Sequence, residues 1–189
     1  MRRLLIFGLS WVASGCGYTL QSSHSPLLEQ EGIHRIFISP MVNNTYKTGV
    51  ENVVYNALLR TVTAHARVSL VSSPEQADAV LNGAVTLAET SMAATSPFTV
   101  GGQDRYYSSQ YNAHLACTFN LLRRNPSPRQ KGTVWKGAFD RVKPFVSAVH
   151  TGTRGETTAL INDSEFDHSL LDLADSMVGD VHESMLAMF

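Results

Sequence analysis

The sequence predicts an α+β fold: a two-layer sandwich in which a four-stranded, mostly antiparallel sheet carries two helices on one face, in the order β-α-β-β-β-α. Three observations lead there. From Tyr111 to Arg123 the chain alternates, with Tyr111, Ala113, Leu115, Cys117, Phe119 and Leu121 on one face and Asn112, His114, Thr118 and Asn120 on the other, the pattern of a half-buried strand. Two other stretches place apolar residues three and four apart, the helical period. A loop at Asn125–Gly132, holding two prolines and a glycine, joins the alternating strand to a second one, which makes an antiparallel hairpin. Antiparallel strands with two amphipathic helices close into one two-layer body.

Taken in order, Ile33–Pro40 carries Ile33, Ile36, Phe37 and Ile38 and ends at a proline, a first strand buried on at least one face. Met41–Lys47 is a polar turn around Asn43-Asn44-Thr45. Thr48 and Glu51 then have the spacing of a capping box, Thr48 as N-cap and Glu51 three residues on. Val50, Val53, Val54, Ala57, Leu58, Thr61 and Val62 follow with helical period, placing a helix over 48–66. Val68–Val71 is short and β-branched, and either extends a strand or returns the chain. Pro74–Asp78 is a turn. Ala79–Glu89 alternates, with Leu81, Gly83, Val85 and Leu87 on one face and Asn82, Thr86 and Ala88 on the other. Met92–Gly102, with Pro97-Phe98, reads as an apolar loop. After the strand at 111–123, Thr133–Val142 puts Trp135, Gly137 and Phe139 on one face. Pro144–Thr158 is a Thr- and Gly-rich loop, and Asn162 or Ser164 caps a second helix running to about 187. Its apolar set is Phe166, Leu170, Leu173, Ala174, Met177, Val181, Met185 and Leu186, and its polar face holds Glu165, Asp172, Asp175, Asp180 and Glu183.

The N-terminus is a different kind of segment. Arg2-Arg3, the apolar run Leu4–Val12 and the small residues Ala13-Ser14-Gly15 make a secretory signal over residues 1–15. A run of nine residues is too short for a membrane-spanning helix, which needs about 20. The cysteine directly after the small residues makes the stretch resemble a bacterial lipobox, with Ala13 where leucine is usual. That resemblance implies cleavage before Cys16, lipidation of Cys16 and attachment to a membrane. An ordinary signal peptide, leaving Cys16 as a free thiol, is the alternative. A second acyl chain turns marginal binding into stable anchoring, and lipobox processing supplies more than one. Gly17, in place of the Asp that marks inner-membrane retention in enterobacterial sorting, favours the outer membrane and its periplasmic face. Residues 16–32 are then the lipidated cysteine and a short polar tether, and 33–189 a single domain.

Composition bounds the rest. Hydrophobic residues make up 43% of the chain and charged ones 16%, a globular balance. Once Arg2 and Arg3 leave with the signal, the net charge is about −3, which argues against a nucleic-acid partner. With Cys16 lipidated, Cys117 has no disulfide partner, and its place among alternating apolar residues makes it a buried structural thiol. No motif for catalysis is present: there is no G-x-S-x-G elbow, H-E-x-x-H, P-loop or Rossmann glycine pattern. The seven histidines lie at 24, 34, 65, 114, 150, 168 and 182, and none of them share the i, i+3 or i, i+4 spacing of a metal site. Asp172 and Asp175 read as a solvated helix face. No catalytic residue, metal or cofactor is expected.

Several landmarks line up in order: Cys16-Gly17-Tyr18-Thr19-Leu20, the strand IHRIFISP, Asn43-Asn44-Thr45, Gly49-Val50-Glu51 opening a helix with Ala57-Leu58, and Ala77-Asp78-Ala79-Val80-Leu81-Asn82-Gly83. In combination the chain resembles the LptE family of lipopolysaccharide-assembly lipoproteins, over nearly its whole mature length and most strongly in residues 16–20, 33–59 and 77–85. The resemblance implies two helices on a four-stranded sheet, a body that plugs an LptD-like outer-membrane β-barrel and helps it assemble, and binding of lipopolysaccharide in transit. None of this needs covalent chemistry. Cations facing lipid phosphates suit such a ligand, and the candidates are Arg123, Arg124, Arg129 and Lys131 around one hairpin, with Lys136 and Arg141 on the next strand. The loop Met92–Gly102 is a candidate contact with the barrel wall. The competing reading is an LpoB-like lipoprotein activator of peptidoglycan synthases. The short tether counts against it, since 14 residues span at most about 50 Å.

Overall fold

The computed structural model describes residues 28, 31–65, 67–147 and 156–186. The signal, Cys16 and most of the expected tether lie outside the described residues, as do 148–155 and the last three.

Six strands and two long helices are described: β1 Arg35–Ile38, β2 Val42–Asn43, α1 Val50–His65, β3 Ser69–Leu70, β4 Ala79–Val100, β5 Gln103–Arg123, β6 Thr133–Val146 and α2 Glu156–Leu186, with a 3-10 turn at Pro74–Gln76. The sheet order is β3-β1-β4-β5-β6, and β2 pairs separately with β4. The sheet is therefore larger than the expected four strands, and it is mixed. β4, β5 and β6 are antiparallel, whereas β1 runs parallel to both β3 and β4, and β2 parallel to β4. Parallel neighbours need a crossover, and α1 provides it between β1 and β3. The added strands β2 and β3 are 2 residues each, too short to show a period in the sequence.

The core lies between one sheet face and the two helices. Leu81 and Val85 of β4, Ala113 to Leu121 at alternate positions of β5, and Trp135 and Phe145 of β6 form one buried cluster with Val54, Leu58 and Val62 of α1 and Phe166, Leu170, Met177 and Val181 of α2. Each apolar residue expected on the second helix is buried. Met41 sits so closely over Gly83 that a Cβ there would overlap its thioether, which is why this strand position lacks a side chain. Cys117 is a free, buried thiol whose pKa is pushed up to about 12 by burial.

Several expectations require correction. Strand β4 does not keep one alternation to Glu89. Thr86 is an extra residue between Val85↔Cys117 and Leu87↔Ala116, and its hydroxyl donates to the Ala116 carbonyl at 3.1 Å. This bulge inverts the facing beyond it, so Ala88 packs against the core and Leu87 pairs with Ala116 on the outer face. The stretch Met92–Gly102 is not a loop. β4 runs 22 residues and β5 21, and Gly101 and Gly102, with φ of 61° and 79°, make the two-residue turn that joins them. None of the side chains described there is buried, so no alternation is imposed. The α2 helix starts at Glu156, so Asn162 and Ser164 lie inside it and do not cap it. Asn162 Nδ2 lies 3.4 Å from Ser147 Oγ, and Asp163 accepts from Lys47. Residues that favour caps are here held by tertiary partners.

The start of α1 is also organised differently. Glu51 does not close a box with Thr48; its carboxylate accepts from Asn43 Nδ2 at 2.7 Å, which also donates to the Lys47 carbonyl at 2.9 Å. Asn43 Oδ1 in turn accepts from the Thr45 amide and hydroxyl at 2.9 and 2.8 Å. One asparagine thus fastens β2 to the first turn of the helix.

Candidate functional site

The basic candidates divide into two groups. Arg123 ends β5 on its inward side and is largely buried. It donates to the Glu31 carboxylate and, at 2.7 Å, to the Glu31 carbonyl. With Leu28 buried at 1% exposure, this pair fastens the end of the expected tether to the body. Arg141 faces inward, the same way as Trp135 and Phe139, and pairs with Asp180 of α2. Both are occupied by structural partners. Arg124, Arg129, Lys131 and Lys136 are exposed and make no ion pair among the described residues. The loop that holds three of them has a defined shape: the Ser127 hydroxyl donates to Gln130 Oε1 at 3.0 Å, and the Gln130 amide to the Ser127 carbonyl at 2.9 Å. The Arg124 amide donates to the Asp78 carbonyl at 3.0 Å. Lys136 pairs with Asn120 on the outer sheet face.

The same pairing accounts for most other cations. Lys143 binds Asp172, Arg60 binds Asp175 at 2.6 Å, and Lys47 bridges Asp163 and Asp167 at 2.9 and 2.7 Å. Arg35 binds Asp78 at 2.8 Å and holds that carboxyl below its ordinary range. Lys143 likewise lowers Asp172. Acids of α2 thus partner α1, β6 and the turn before α1, while Asp172 and Asp175 stay exposed on the solvated face expected of them. The signal was legible in β6: Arg141 and Lys143 share the parity of Trp135 and Phe139, so they point toward α2. Cancelling these charges leaves the 124–136 end as a cationic patch.

The outer face of the sheet is uncovered by the helices. Asn82, Thr118, Asn120, Asn112 and His114 lie along it, the positions opposite to the buried set. Ser91 Oγ and His114 Nε2 are 2.7 Å apart. Among the described residues no carboxylate is hydrogen-bonded to the other ring nitrogen, the orienting group that a nucleophile–base pair takes. Two clefts lie beside α2. One of about 270 Å³ is lined by Val50, Val53, Leu170, Leu171, Lys47 and Asp167, and one of about 210 Å³ by Tyr111, Phe145, Phe166, Thr90, Asn162 and Asp163. Lys47 of the first cleft holds its Nζ 5.2 Å from the centre of the ring of Phe166, which lines the second.

The structure also brings together two histidines that sequence spacing keeps apart. The His65 and His182 rings, from α1 and α2, lie 4.4 Å apart. His182 is 4% exposed, and burial first, then His65 and Arg67, lower its pKa to about 4. Among the described residues no cluster of three or more His, Cys, Asp or Glu is placed to hold a metal, and no helix is long and apolar enough to cross a membrane.

No family model matches the chain, and no curated protein is similar to it. Solved structures are. The hypothetical protein CT253 from Chlamydia trachomatis is 9% identical, with 82% of this chain and 99% of that chain covered and a TM-score of 0.50. The uncharacterized lipoprotein B from Nitrosomonas europaea is 15% identical over 88% of this chain and 87% of that one, with a TM-score of 0.46. The rare lipoprotein B from Shewanella oneidensis is 10% identical over 78% and 94%, with a TM-score of 0.45. The likeness to CT253 speaks to the fold alone.

Proposed function

We propose that this chain is an outer-membrane lipoprotein, anchored through Cys16, whose body occupies the lumen of an LptD-like β-barrel, helps that barrel assemble, and contacts lipopolysaccharide on its way to the cell surface. The sequence resemblance in residues 16–20, 33–59 and 77–85 suggests the reading. The observation that carries it is the division of the sheet: one face is consumed by the core, and the other is an open surface bearing Asn82, Asn112, His114, Thr118 and Asn120. Barrel interiors are polar, and a rigid body with a polar side suits one. Lipopolysaccharide phosphates are met by Arg124, Arg129, Lys131 and Lys136, the predicted cations without an ion-pair partner among the described residues.

Affinity purification from outer membranes tests the reading. Recovery of a large β-barrel is the expected result; recovery of a penicillin-binding protein in its place refutes it and favours the peptidoglycan-synthase activator. Replacing Arg124, Arg129 and Lys131 together with glutamate is expected to weaken lipopolysaccharide binding while the melting temperature holds. Arg123 is left out of that set because its loss would damage the fold through Glu31.

A further inference from the structure

The chain enters the body at the end where the cationic loop lies. The Ile33 amide donates to the Leu28 carbonyl at 2.7 Å, and Leu28 is buried. The Arg123 guanidinium donates to the Glu31 carbonyl at 2.7 Å and pairs with its carboxylate. Arg123 is also the last residue of β5, and its amide donates to the Gly132 carbonyl at 2.7 Å, closing the loop 124–132. One residue therefore holds both the incoming chain and that loop. The turn at Gly101 and Gly102 lies at the far end of β4, 22 residues away, roughly 70 Å at ~3.3 Å per residue.

Charge is distributed as unevenly as the attachment. Between Asp104 and Asp140 the sequence holds no acid, and within that interval Arg124, Arg129, Lys131 and Lys136 are exposed. Glu75 of the 3-10 turn is an acid that feels the loop: hydrogen bonds from its own amide and from Ser73 first, and then Arg124, lower its pKa. The loop is braced by the hydrogen bonds between Ser127 and Gln130 and by Pro126 and Pro128, whose φ is fixed. Its cations are therefore presented with little further loss of chain entropy. Cys16 is 12 residues from Leu28, a reach of roughly 40 Å when fully extended. An acyl anchor and a basic patch are one of the pairs of signals that hold a protein stably on a membrane. Linkage makes the second contact intramolecular, so a patch too weak to bind alone becomes effective.

We propose that the loop 124–132, with Lys136, docks on the anionic phospholipid headgroups of the leaflet that holds the Cys16 lipid, and so turns the tethered end of the body toward that leaflet and the Gly101-Gly102 turn away from it. The inference rests on the anchoring through Cys16 in the reading above and does not depend on the barrel. Its phosphates belong to the anchoring bilayer and not to lipopolysaccharide in transit. The place where the chain enters the body selects this occupant, because the anchor keeps that end, and not the far turn, within reach of the surface.

Energy transfer tests it on the full-length chain, recovered from membranes and reconstituted in vesicles of phosphatidylethanolamine with or without phosphatidylglycerol. A donor dye is attached at Asn125→Cys, or at Gln103→Cys beside the far turn as a reference, and the acceptor sits at headgroup level; Cys117 is buried and stays unlabelled. Strong transfer from position 125 and weak transfer from position 103 are expected in the anionic vesicles. Replacing Arg124, Arg129 and Lys131 with glutamine is expected to lower the ratio of docked to undocked protein roughly 100-fold, about fivefold for each cation, without moving the melting temperature. Raised salt should act in the same direction. Equal transfer from the two positions, or transfer from position 125 that ignores phosphatidylglycerol, overturns the proposal. If position 125 responds to added lipopolysaccharide but not to phosphatidylglycerol, the inference is overturned while the proposed lipopolysaccharide contact survives. If mass spectrometry finds Cys16 without lipid, the anchoring reading and this inference fall together.

Discussion

Replacing His182 with leucine is expected to remove an acid-sensitive component of stability. His182 is buried against α1, its pKa in the fold about 4 against an ordinary 6.5. In the unfolded chain it takes up a proton near pH 6.5; in the fold it resists doing so. The unfolded state therefore binds more protons through this interval, and stability rises with pH across it. The contribution is complete above about pH 6.5 and is lost as the pH falls toward 4. A shift of this size corresponds to roughly 3 kcal/mol at ~1.4 kcal/mol per unit. Its neighbours His65 and Arg67 stand at the edge of the helix pair, where solvent screens charge, so about 1–2 kcal/mol is the working figure. For a domain of this length that is a fall of roughly 3–6 °C in melting temperature between pH 7 and pH 4.5. Thermal unfolding of both proteins across this range measures it. The leucine variant should lose this part of the slope, while the carboxylates, titrating in both, cancel in the comparison. The same slope in both proteins would refute the assignment.

Three further outcomes follow from the packing. Gly137→Ala puts a Cβ within 2.6 Å of the Trp135 ring and 2.7 Å of the Phe139 ring; overpacking of this kind costs about 1–3 kcal/mol, read by urea denaturation, and full stability would show that the rings move freely. Asn43→Ala removes the bonds to Glu51, Lys47 and Thr45 and is expected to cost about 2 kcal/mol, a loss that Asn44→Ala should not reproduce. Cys117, buried and with its thiol pushed up to about 12, should react with iodoacetamide only on unfolding, so rapid labelling of the native protein would contradict its place in the core.

How much of this was legible in the sequence depended on whether an element has one dry face. β5 from Tyr111 to Leu121 and α2 from Phe166 to Leu186 were readable because each buries a continuous row of side chains, and burial is what imposes a period. Met92–Gly102 buries no such row among its described side chains, so its composition resembled a loop although its backbone is paired. The bulge at Thr86 was invisible for another reason: Leu87 and Ala88 are both apolar, so either facing satisfied the pattern. At Asn43 and Asn162, residue types that favour turns and caps were correctly noticed, but their partners came from other elements, which local spacing cannot supply.

The candidate site turns on the same distinction between local pattern and long-range pairing. Six cations near one hairpin looked equivalent in sequence, yet parity already separates them. Arg123 follows the inward series of Leu115, Cys117, Phe119 and Leu121, and Arg141 that of Trp135 and Phe139. An arginine at an inward position beside a core must find a carboxylate, because an unpaired buried charge is too costly. Glu31 and Asp180 serve as those partners. Arg124, Arg129, Lys131 and Lys136 lie in the loop or on the outer face, where water satisfies them and no partner is required. A cation that the fold does not need is one that a ligand can use. This makes the four exposed residues, and neither of the two paired ones, the set whose charge reversal should change binding without changing stability.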